Sequence, residues 1–293
     1  MFWIKGEVDM YNIGGLIIEI NNHDHIPTPK NLELFRVDAD CYDHLYDIYM
    51  IDYIETENEK FILNKNNIKI FMQDEFHKRY LYLPGDHRPY GLCLRMHEGH
   101  TVVYVQKEYV QLFESDTIFA SILSLEKRMY FLNKFILHSA YMLHNGEAIL
   151  FSPPPPTGKS TQADLWTKYR GTRTINGDRT LISKENDQYF ANGWPVCGSS
   201  RICFNETYPL KCIVFLSQAK ENKIEKLDYK TKVKKLISEL TINYHYAPFV
   251  NKVMDFIDDL IIHVPIYHLE CDISENAVIC LENQLKEDKI WMR

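Results

Sequence analysis

A stretch in the middle of the chain combines a proline run with a phosphate-binding pattern. It reads Ser152-Pro-Pro-Pro-Pro-Thr157-Gly158-Lys159-Ser160-Thr161. Its second half matches the end of the GxxxxGK[ST] loop, in which the lysine neutralises β/γ-phosphate charge and the hydroxyl ligates Mg²⁺. Backbone N–H groups from Thr157 to Thr161 would donate to phosphate oxygens at the start of a helix. The pattern predicts a site for ATP or GTP together with Mg²⁺.

The first half of the stretch departs from that pattern. Pro153 stands where the loop has its leading glycine. Proline has no N–H to donate and its φ is fixed near −65°, so residues 153–156 offer neither donors nor a left-handed backbone. A rigid polyproline connector beside an accidental Gly-Lys-Ser is therefore the alternative interpretation.

The elements around the stretch favour the phosphate-binding interpretation. Residues 148–151, Ala-Ile-Leu-Phe, predict a short apolar strand, and residues 160–170 predict a helix that Gly171 ends. Strand, loop and helix in this order are the setting of a phosphate-binding loop. More strands are predicted at 173–176, 180–183, 210–216 and 266–270, and helices at 233–240, 250–261 and 277–285. Their mixture predicts an α/β core over about 130–293.

The residues before this core give different patterns. Segments rich in β-branched and aromatic residues, separated by polar turns, predict a β-rich N-terminal domain over 1–115 with antiparallel connections. Apolar residues between Ile118 and Ile136 recur at steps of four and three, which predicts a connecting helix over 116–136. The tyrosines between Tyr42 and Tyr53 recur at similar steps and predict a further helix.

The core contains several motifs of a recognisable kind. They are Leu137-His138-Ser139-Ala140, Gly158-Lys159-Ser160-Thr161-Gln162-Ala163-Asp164-Leu165-Trp166, Asn176-Gly177-Asp178, Gly193-Trp194-Pro195 and Tyr208-Pro209-Leu210-Lys211. These motifs resemble those of HPr kinase/phosphorylase-like proteins, which share the phosphoenolpyruvate-carboxykinase-like fold, and the resemblance spans about 130–285. It is closer to a bacterial branch in which some members accompany ribosomal-peptide pathways and phosphorylate a serine of the precursor.

The resemblance implies roles for individual residues and a nucleotide-binding domain over 137–293. Lys159 would bind the β/γ-phosphates and Ser160 the metal, while His138 would lie beside the transferred phosphoryl group. Asp178 matches the first of an Asp-Asp pair that serves metal binding and base catalysis. Arg179 replaces the second aspartate, so Asp178 does both tasks or another residue is the base.

Two arginines are further candidates. Arg179 and Arg201 carry a planar fork of donors that suits a bidentate phosphate contact, and exposed salt bridges are the alternative for each. The function predicted is transfer of a γ-phosphoryl group to a hydroxyl of a peptide, a protein or a small molecule. A degenerate pseudo-kinase that binds nucleotide or peptide as a regulatory module is the alternative. A β-rich ligand-binding protein is the third class.

Composition excludes other classes of function. The net charge of −7 and the pI near 5.9 argue against a nucleic-acid partner, which needs a dense Lys/Arg face. We expect no membrane partner, because no apolar run approaches about 18 residues, and the first residues do not form a signal peptide. The seven scattered cysteines suit a reducing cytoplasm. Homo-oligomerisation is left open.

Overall fold

The computed structural model shows an α/β protein with mixed sheets and helices. The chain divides into two compact units, Met1–Arg128 and Met129–Arg293. Within the described ranges, no helix combines the length and apolar character needed to cross a membrane. The structure describes residues 9–56, 63–65, 67–73, 76–97, 99–152, 159–244 and 246–288.

The first unit is built on an eight-stranded sheet. Its strands are β1 (Asp9–Ile13), β2 (Leu16–Asn22), β3 (His44–Ile51), β4 (Leu63–Lys65), β5 (Ile68–Gln73), β6 (Phe76–Tyr82), β7 (Pro89–His97) and β8 (His100–Gln106). They lie in the order β1-β2-β3-β8-β7-β6-β5-β4. This sheet lies within the region for which a β-rich domain was predicted. The prediction of antiparallel connections is wrong for β3, which runs parallel to both β2 and β8.

The helix predicted from the tyrosines between Tyr42 and Tyr53 is wrong. Residues 44–51 form strand β3, in which His44, Tyr46 and Ile48 are buried and the intervening residues are partly exposed. Burial that alternates with a period of two is that of a strand with one covered face. Spacings of three and four between aromatic residues alone cannot distinguish this pattern from a helix.

The connecting helix predicted over 116–136 is also wrong in its extent. The segment holds two short helices, α1 (Asp116–Ile122) and α2 (Leu125–Phe131). Ser124 separates them with a φ of 53°, and a left-handed residue cannot continue a right-handed helix. Asn133, with a φ of 56°, follows the second helix. The apolar residues after it belong to a strand.

Among its described residues, the second unit combines a nine-stranded sheet with four helices. Its strands are β9 (Phe135–His138), β10 (Ala140–His144), β11 (Glu147–Ser152), β12 (Arg173–Asn176), β13 (Arg179–Glu185), β14 (Gln188–Asn192), β15 (Thr207–Gln218), β16 (Lys223–Lys226) and β17 (Ile266–Cys271). Its helices are α3 (Lys159–Arg170), α4 (Tyr229–Glu239), α5 (Ala247–His263) and α6 (Glu275–Glu287). The strands and helices predicted between 148 and 285 are confirmed as elements, with shifted ends.

The helices cover both faces of this second sheet. Successive residues of a strand point to opposite faces. Tyr141 and Leu150 accordingly pack in the apolar cluster that includes α4 and α5, while Met142 and Phe151 pack with α3 and α6. Strands buried on both faces read as continuous apolar runs.

The strand order brings three carboxyl ends to one edge. The path is β12-β10-β11-β15-β14-β13-β9, and β17 pairs with β15. Strand β15 runs parallel to both β11 and β17, which pair with it. The carboxyl ends of the three strands therefore share an edge, and helix α3 begins after β11. In open α/β sheets ligands bind outside such an edge.

Candidate functional site

Two adjacent strands bring His138 and Asp178 together. Strand β9 ends at His138, which pairs antiparallel with Arg179 at the start of β13. The backbone N–H of Ser139 donates to the carbonyl oxygen of Asp178 at 3.0 Å. This pairing fixes His138, the last residue of β9, beside Asp178, the residue before β13.

A buried asparagine fixes the turn that carries Asp178. The Asn176 side-chain oxygen accepts from the backbone N–H groups of Asp178 and Arg179, both at 2.9 Å. Its amide nitrogen donates to the carbonyl oxygens of Trp194 and Val196 at 2.8 and 3.0 Å. Both N–H donors and both oxygen lone pairs of the Asn176 side-chain amide are therefore used. Asn176 is fully buried, so its role is to hold the backbone around Asp178.

Two glycines let the backbone approach this turn closely. A Cβ at Gly177 would lie 2.2 Å from the hydroxyl oxygen of Ser200. Gly198 has a φ of +56°, and a Cβ there would lie 3.0 Å from the carboxyl carbon of Asp178. Glycine tolerates both conditions because it has no side chain. The Asp178 carboxylate is therefore packed against the backbone on one side.

Helix α3 places Lys159 against both residues. The Lys159 Nζ donates to Asp178 Oδ1 at 2.7 Å and also contacts His138 Nε2. His138 Nε2 and Asp178 Oδ1 are 3.3 Å apart. All three side chains are largely buried, with 14 to 23% of their surface exposed. The structure thus gathers three of the residues that the sequence singled out.

Glu239 is a fourth member that the sequence analysis missed. It is the last residue of α4, its side chain is only 8% exposed, and its Oε2 lies 2.9 Å from His138 Nδ1. A carboxylate accepts the Nδ1–H of a histidine and so fixes its tautomer. The neutral ring then presents the lone pair of Nε2 to Lys159, whereas a protonated ring donates from Nε2 to Asp178. Either arrangement leaves Asp178 with a cationic donor.

The surroundings of Asp178 keep its carboxylate ionised. Hydrogen bonding from His138 is the largest cause that holds the pKa of Asp178 well below its usual range. Burial favours the neutral acid and opposes this effect, while Lys159 and Arg179 add to the lowering. Arg179 Nε lies 3.5 Å from Asp178 Oδ2. At neutral pH this group is an anion between cationic donors.

The first turn of α3 exposes the other predicted phosphate contacts. Ser160 and Thr161 are both exposed to solvent. Thr157 and Gly158, predicted as further nucleotide contacts, lie outside the described residues, as does Pro153–Pro156. The described part of the candidate site is therefore Lys159 to Thr161 with the residues that surround Lys159.

The two predicted phosphate-clamping arginines lie in different places. Arg179 lies beside Asp178, and its Nη1 also donates to Thr241 Oγ1 at 3.4 Å. Arg201 is exposed and lines a shallow cavity of about 430 Å³ that also includes Asp164 and Thr174. A phosphate clamp that includes Arg201 stays a prediction.

Asp178 and Ser160 are the described residues that could hold one Mg²⁺ together with a bound nucleotide. In the described part of the chain, no group of three or more His, Cys, Asp or Glu side chains is arranged to hold a metal. Mg²⁺ is usually held by one or two carboxylates together with phosphate oxygens and water. Asp178 is an ionised carboxylate, and Ser160 follows Lys159 on the same turn. These two would hold the ion, with phosphates as the remaining ligands.

Comparisons with solved structures show a distant likeness. No family model and no curated protein matches this chain. Among the solved structures similar to it is the HPr(Ser) kinase/phosphatase from Coxiella burnetii, at 12% sequence identity and a TM-score of 0.33. The similarity covers 54% of this chain and 97% of that one. The chemistry of the site must follow from its own contacts.

Proposed function

We propose that this protein is an ATP- or GTP-dependent phosphotransferase that requires Mg²⁺ and acts on a hydroxyl group. The observation that supports it best is the convergence of Lys159, Asp178 and His138 where α3 begins. A helix start attracts anions, and a lysine there neutralises phosphate charge. A carboxylate and a histidine at the same point supply the groups that a transferred phosphoryl needs beside it.

Phosphoryl transfer depends mainly on positioning and charge neutralisation. In the structure the Lys159 ammonium is paired with Asp178 at 2.7 Å. A bound triphosphate would accept hydrogen bonds from the Lys159 ammonium in place of Asp178. The Asp178 carboxylate would then turn toward the metal. Bound Mg²⁺ would supply charge neutralisation at the β- and γ-phosphates. Arg179 would continue to compensate the charge of Asp178.

The reaction also needs an acceptor for one proton. As the acceptor oxygen bonds to the γ-phosphorus, the bridging β–γ bond breaks and its electron pair leaves with ADP or GDP. The hydroxyl proton then goes to a nearby base. The low pKa of Asp178 makes it a weak base, whereas Glu239 holds His138 with Nε2 facing Lys159 and Asp178. We assign the proton to His138 and the metal to Asp178.

The acceptor class is an inference from the sequence. A serine of a peptide or protein is the acceptor that the family resemblance implies, and a small-molecule hydroxyl is the other candidate. A nucleotide-binding module without transfer is the second function to weigh. Arg179 favours it, because a guanidinium 3.5 Å from Asp178 stands in place of a second carboxylate.

Release of ADP or GDP tests the proposal. The full chain is incubated with ATP or GTP and Mg²⁺, with water, free serine and a serine-containing peptide as acceptors. The parent should release nucleoside diphosphate, and Lys159→Ala should not. Lys168→Ala is the matched control, because Lys168 is exposed on the same helix, and it should behave as the parent does. A parent that binds nucleotide and never releases diphosphate is the module rather than the enzyme.

A further inference from the structure

A shallow cleft in the second unit is lined by three segments of chain. It has a volume of about 430 Å³ and is formed by Asp164 and Thr167 on α3, by residues 172–174 around the start of β12, and by residues 201–204. Phe204, which is 37% exposed, adds an aromatic ring to the lining. The cleft thus offers charged, hydrogen-bonding and apolar surface to one ligand.

This cleft adjoins the turn that carries Asp178. The backbone N–H of Gly177 donates to the carbonyl oxygen of Ile202 at 3.3 Å. Arg201 directly precedes Ile202, so two steps along the chain and one hydrogen bond separate it from Asp178. The Cα atoms of Arg201 and Asp178 are therefore on the order of 10 Å apart. A molecule that presents a hydroxyl beside Lys159 and Asp178 can extend into the cleft.

Among the described residues of this cleft, Arg201 is the cation without a partner. Its side chain is exposed, and it forms no hydrogen bond or ion pair with the described part of the chain. Arg173, by contrast, is paired with Glu206 and lies over the ring of Phe204. Arg201 also has a φ of 56°, a left-handed conformation that costs free energy in a residue other than glycine and is concentrated at functional sites. Its guanidinium can bind a carboxylate or a phosphate through two hydrogen bonds.

The carboxylate of Asp164 favours a peptide over a phosphate as the ligand. Asp164 is exposed, lines the same cleft and forms no ion pair with Arg201, which is also described. A phosphate at Arg201 carries up to about two negative charges, which this carboxylate repels. A peptide brings one carboxylate for Arg201 together with backbone N–H groups, from which Asp164 accepts hydrogen bonds. The two oppositely charged groups of the cleft therefore suit an acidic peptide segment.

We infer that this cleft binds an acidic segment of a peptide acceptor, in which one carboxylate pairs with Arg201 while a serine lies beside Lys159 and Asp178. The inference rests on the proposed function and adds to it the class of acceptor. An extended chain advances about 3.3 Å per residue, so a separation on the order of 10 Å places the acidic residue roughly three or four positions from the serine. Free serine is too short to reach both places.

Phosphoryl transfer from ATP to four matched peptides tests the inference on the full chain. Each peptide consists of glycine and alanine around one serine. Two of them carry aspartates three and four positions before or after the serine, and the other two carry asparagines at the same positions. For the direction in which the acceptor enters the cleft, kcat/KM of the aspartate peptide should be at least about 10-fold higher, because Arg201 forms a charge-assisted contact with it. The difference should lie in KM, since this contact is far from the reacting atoms.

Substitutions at Arg201 identify the residue responsible for the preference. Arg201→Asn should remove the preference for aspartate, and Arg201→Asp should make a lysine peptide of the same design the best acceptor. Asparagine and aspartate both tolerate a left-handed backbone, so the fold should be retained. Lys168→Gln is the control, because Lys168 is exposed on α3 and does not line the cleft. This control should keep the preference of the parent.

The outcomes separate the two proposals. Equal kcat/KM of the parent for aspartate and asparagine peptides in both arrangements overturns the acidic acceptor and leaves the phosphotransferase standing. A preference that survives in a folded Arg201→Asn variant also overturns it, and weaker ATP binding by that variant would then make Arg201 a phosphate clamp. If the parent releases no nucleoside diphosphate with any acceptor, the proposed function fails. Fluorescence anisotropy of the same labelled peptides then decides the cleft alone: binding of aspartate peptides that depends on Arg201 retains it, and equal or absent binding overturns it.

Discussion

Each unit of this chain contains a partly buried carboxylate that contacts histidine, and the two carboxylates have different surroundings. In the first unit Asp47 lies between His23 and His100, each with Nε2 at 2.7 Å. In the second unit Asp178 contacts one histidine and also the lysine that begins α3. The first arrangement joins neighbouring strands of a sheet. The second places a cation and an anion together at the start of a helix.

The pKa values of the two carboxylates reflect this difference. Burial would raise the pKa of Asp47, and hydrogen bonds from His23, His100 and Asn21 outweigh it to give a lowered value. Hydrogen bonding from His138 leads the lowering for Asp178, and two permanent cations add to it. A histidine beside a carboxylate is thus not enough to mark a functional site. What distinguishes Asp178 is its contact with Lys159 at the start of a helix, because this lysine can bind a phosphate in place of the carboxylate.

The largest difference should appear when each carboxylate becomes an amide. Asp178→Asn keeps size and removes the charge that would hold the metal, so turnover should fall by at least about 100-fold with a modest change in nucleotide affinity. Asp47→Asn is the matched control and should stay within about twofold of the parent, because nothing in the mechanism uses it. Diphosphate release per mole of folded protein measures both. A fully active Asp178→Asn variant would move the chemistry elsewhere.

A smaller loss of turnover should distinguish the pair of Glu239 and His138 from the pair of Glu225 and His268. Glu239→Gln should lower turnover by about 10- to 100-fold, because the amide no longer fixes the His138 tautomer by charge. Nucleotide affinity should be unchanged. Glu225→Gln is its control, since Glu225 Oε1 lies 3.3 Å from His268 Nδ1 on a neighbouring pair of strands, and it should leave turnover unchanged. Equal activity of both variants with the parent would remove Glu239 from the mechanism.

The smallest effect concerns stability at low pH. Because the folded-state pKa of Asp178 is depressed, its ionised form stabilises the fold above the unfolded-state pKa of about 3.9. That contribution is lost as pH falls below about 4 toward the folded-state pKa. The urea midpoint of the parent should therefore approach that of Asp178→Asn as pH falls from 5 to 3. Asp47→Asn should show the same trend less strongly. A constant gap between parent and Asp178→Asn across this range would contradict the assigned environment.

Local sequence was sufficient to predict part of the candidate site. Lys159 follows a strand and begins a helix, which neighbouring residues determine, and the helix confirmed at Lys159–Arg170 was predicted to within one residue. Glu239 could not be found in the same way. It meets His138 across 101 residues of chain, and a glutamate at the end of an amphipathic helix is ordinarily a solvated charge. Only the packing of α4 beside β9 makes it part of the site.

Two of the wrong predictions share a physical cause. Residues 135–137 are buried on both faces of a central sheet, so their apolar run continued the helical spacing of the preceding residues. The tyrosines around β3 could likewise be assigned to a helix or to a strand. Steps of four and three place residues on one face of a helix, but they also occur in a strand that carries tyrosines on both faces. Ser124 adopts a φ of 53° and ends the first helix, although no glycine at this position predicts a helix end. Tertiary burial determined the structure of residues 135–137 and of β3, whereas the left-handed conformation of Ser124 divided the two short helices.

The most direct test of the central claim is nucleotide binding by the parent, Lys159→Ala and Lys168→Ala. Calorimetry with ATP and Mg²⁺ should show binding to the parent and to Lys168→Ala with equal affinity. Lys159→Ala should bind about 10- to 100-fold more weakly with its melting temperature in the absence of nucleotide little changed, since one charge-assisted contact to phosphate is lost. Equal affinity for ATP in all three proteins would contradict the assignment of Lys159 to the phosphates, and with it the phosphotransferase.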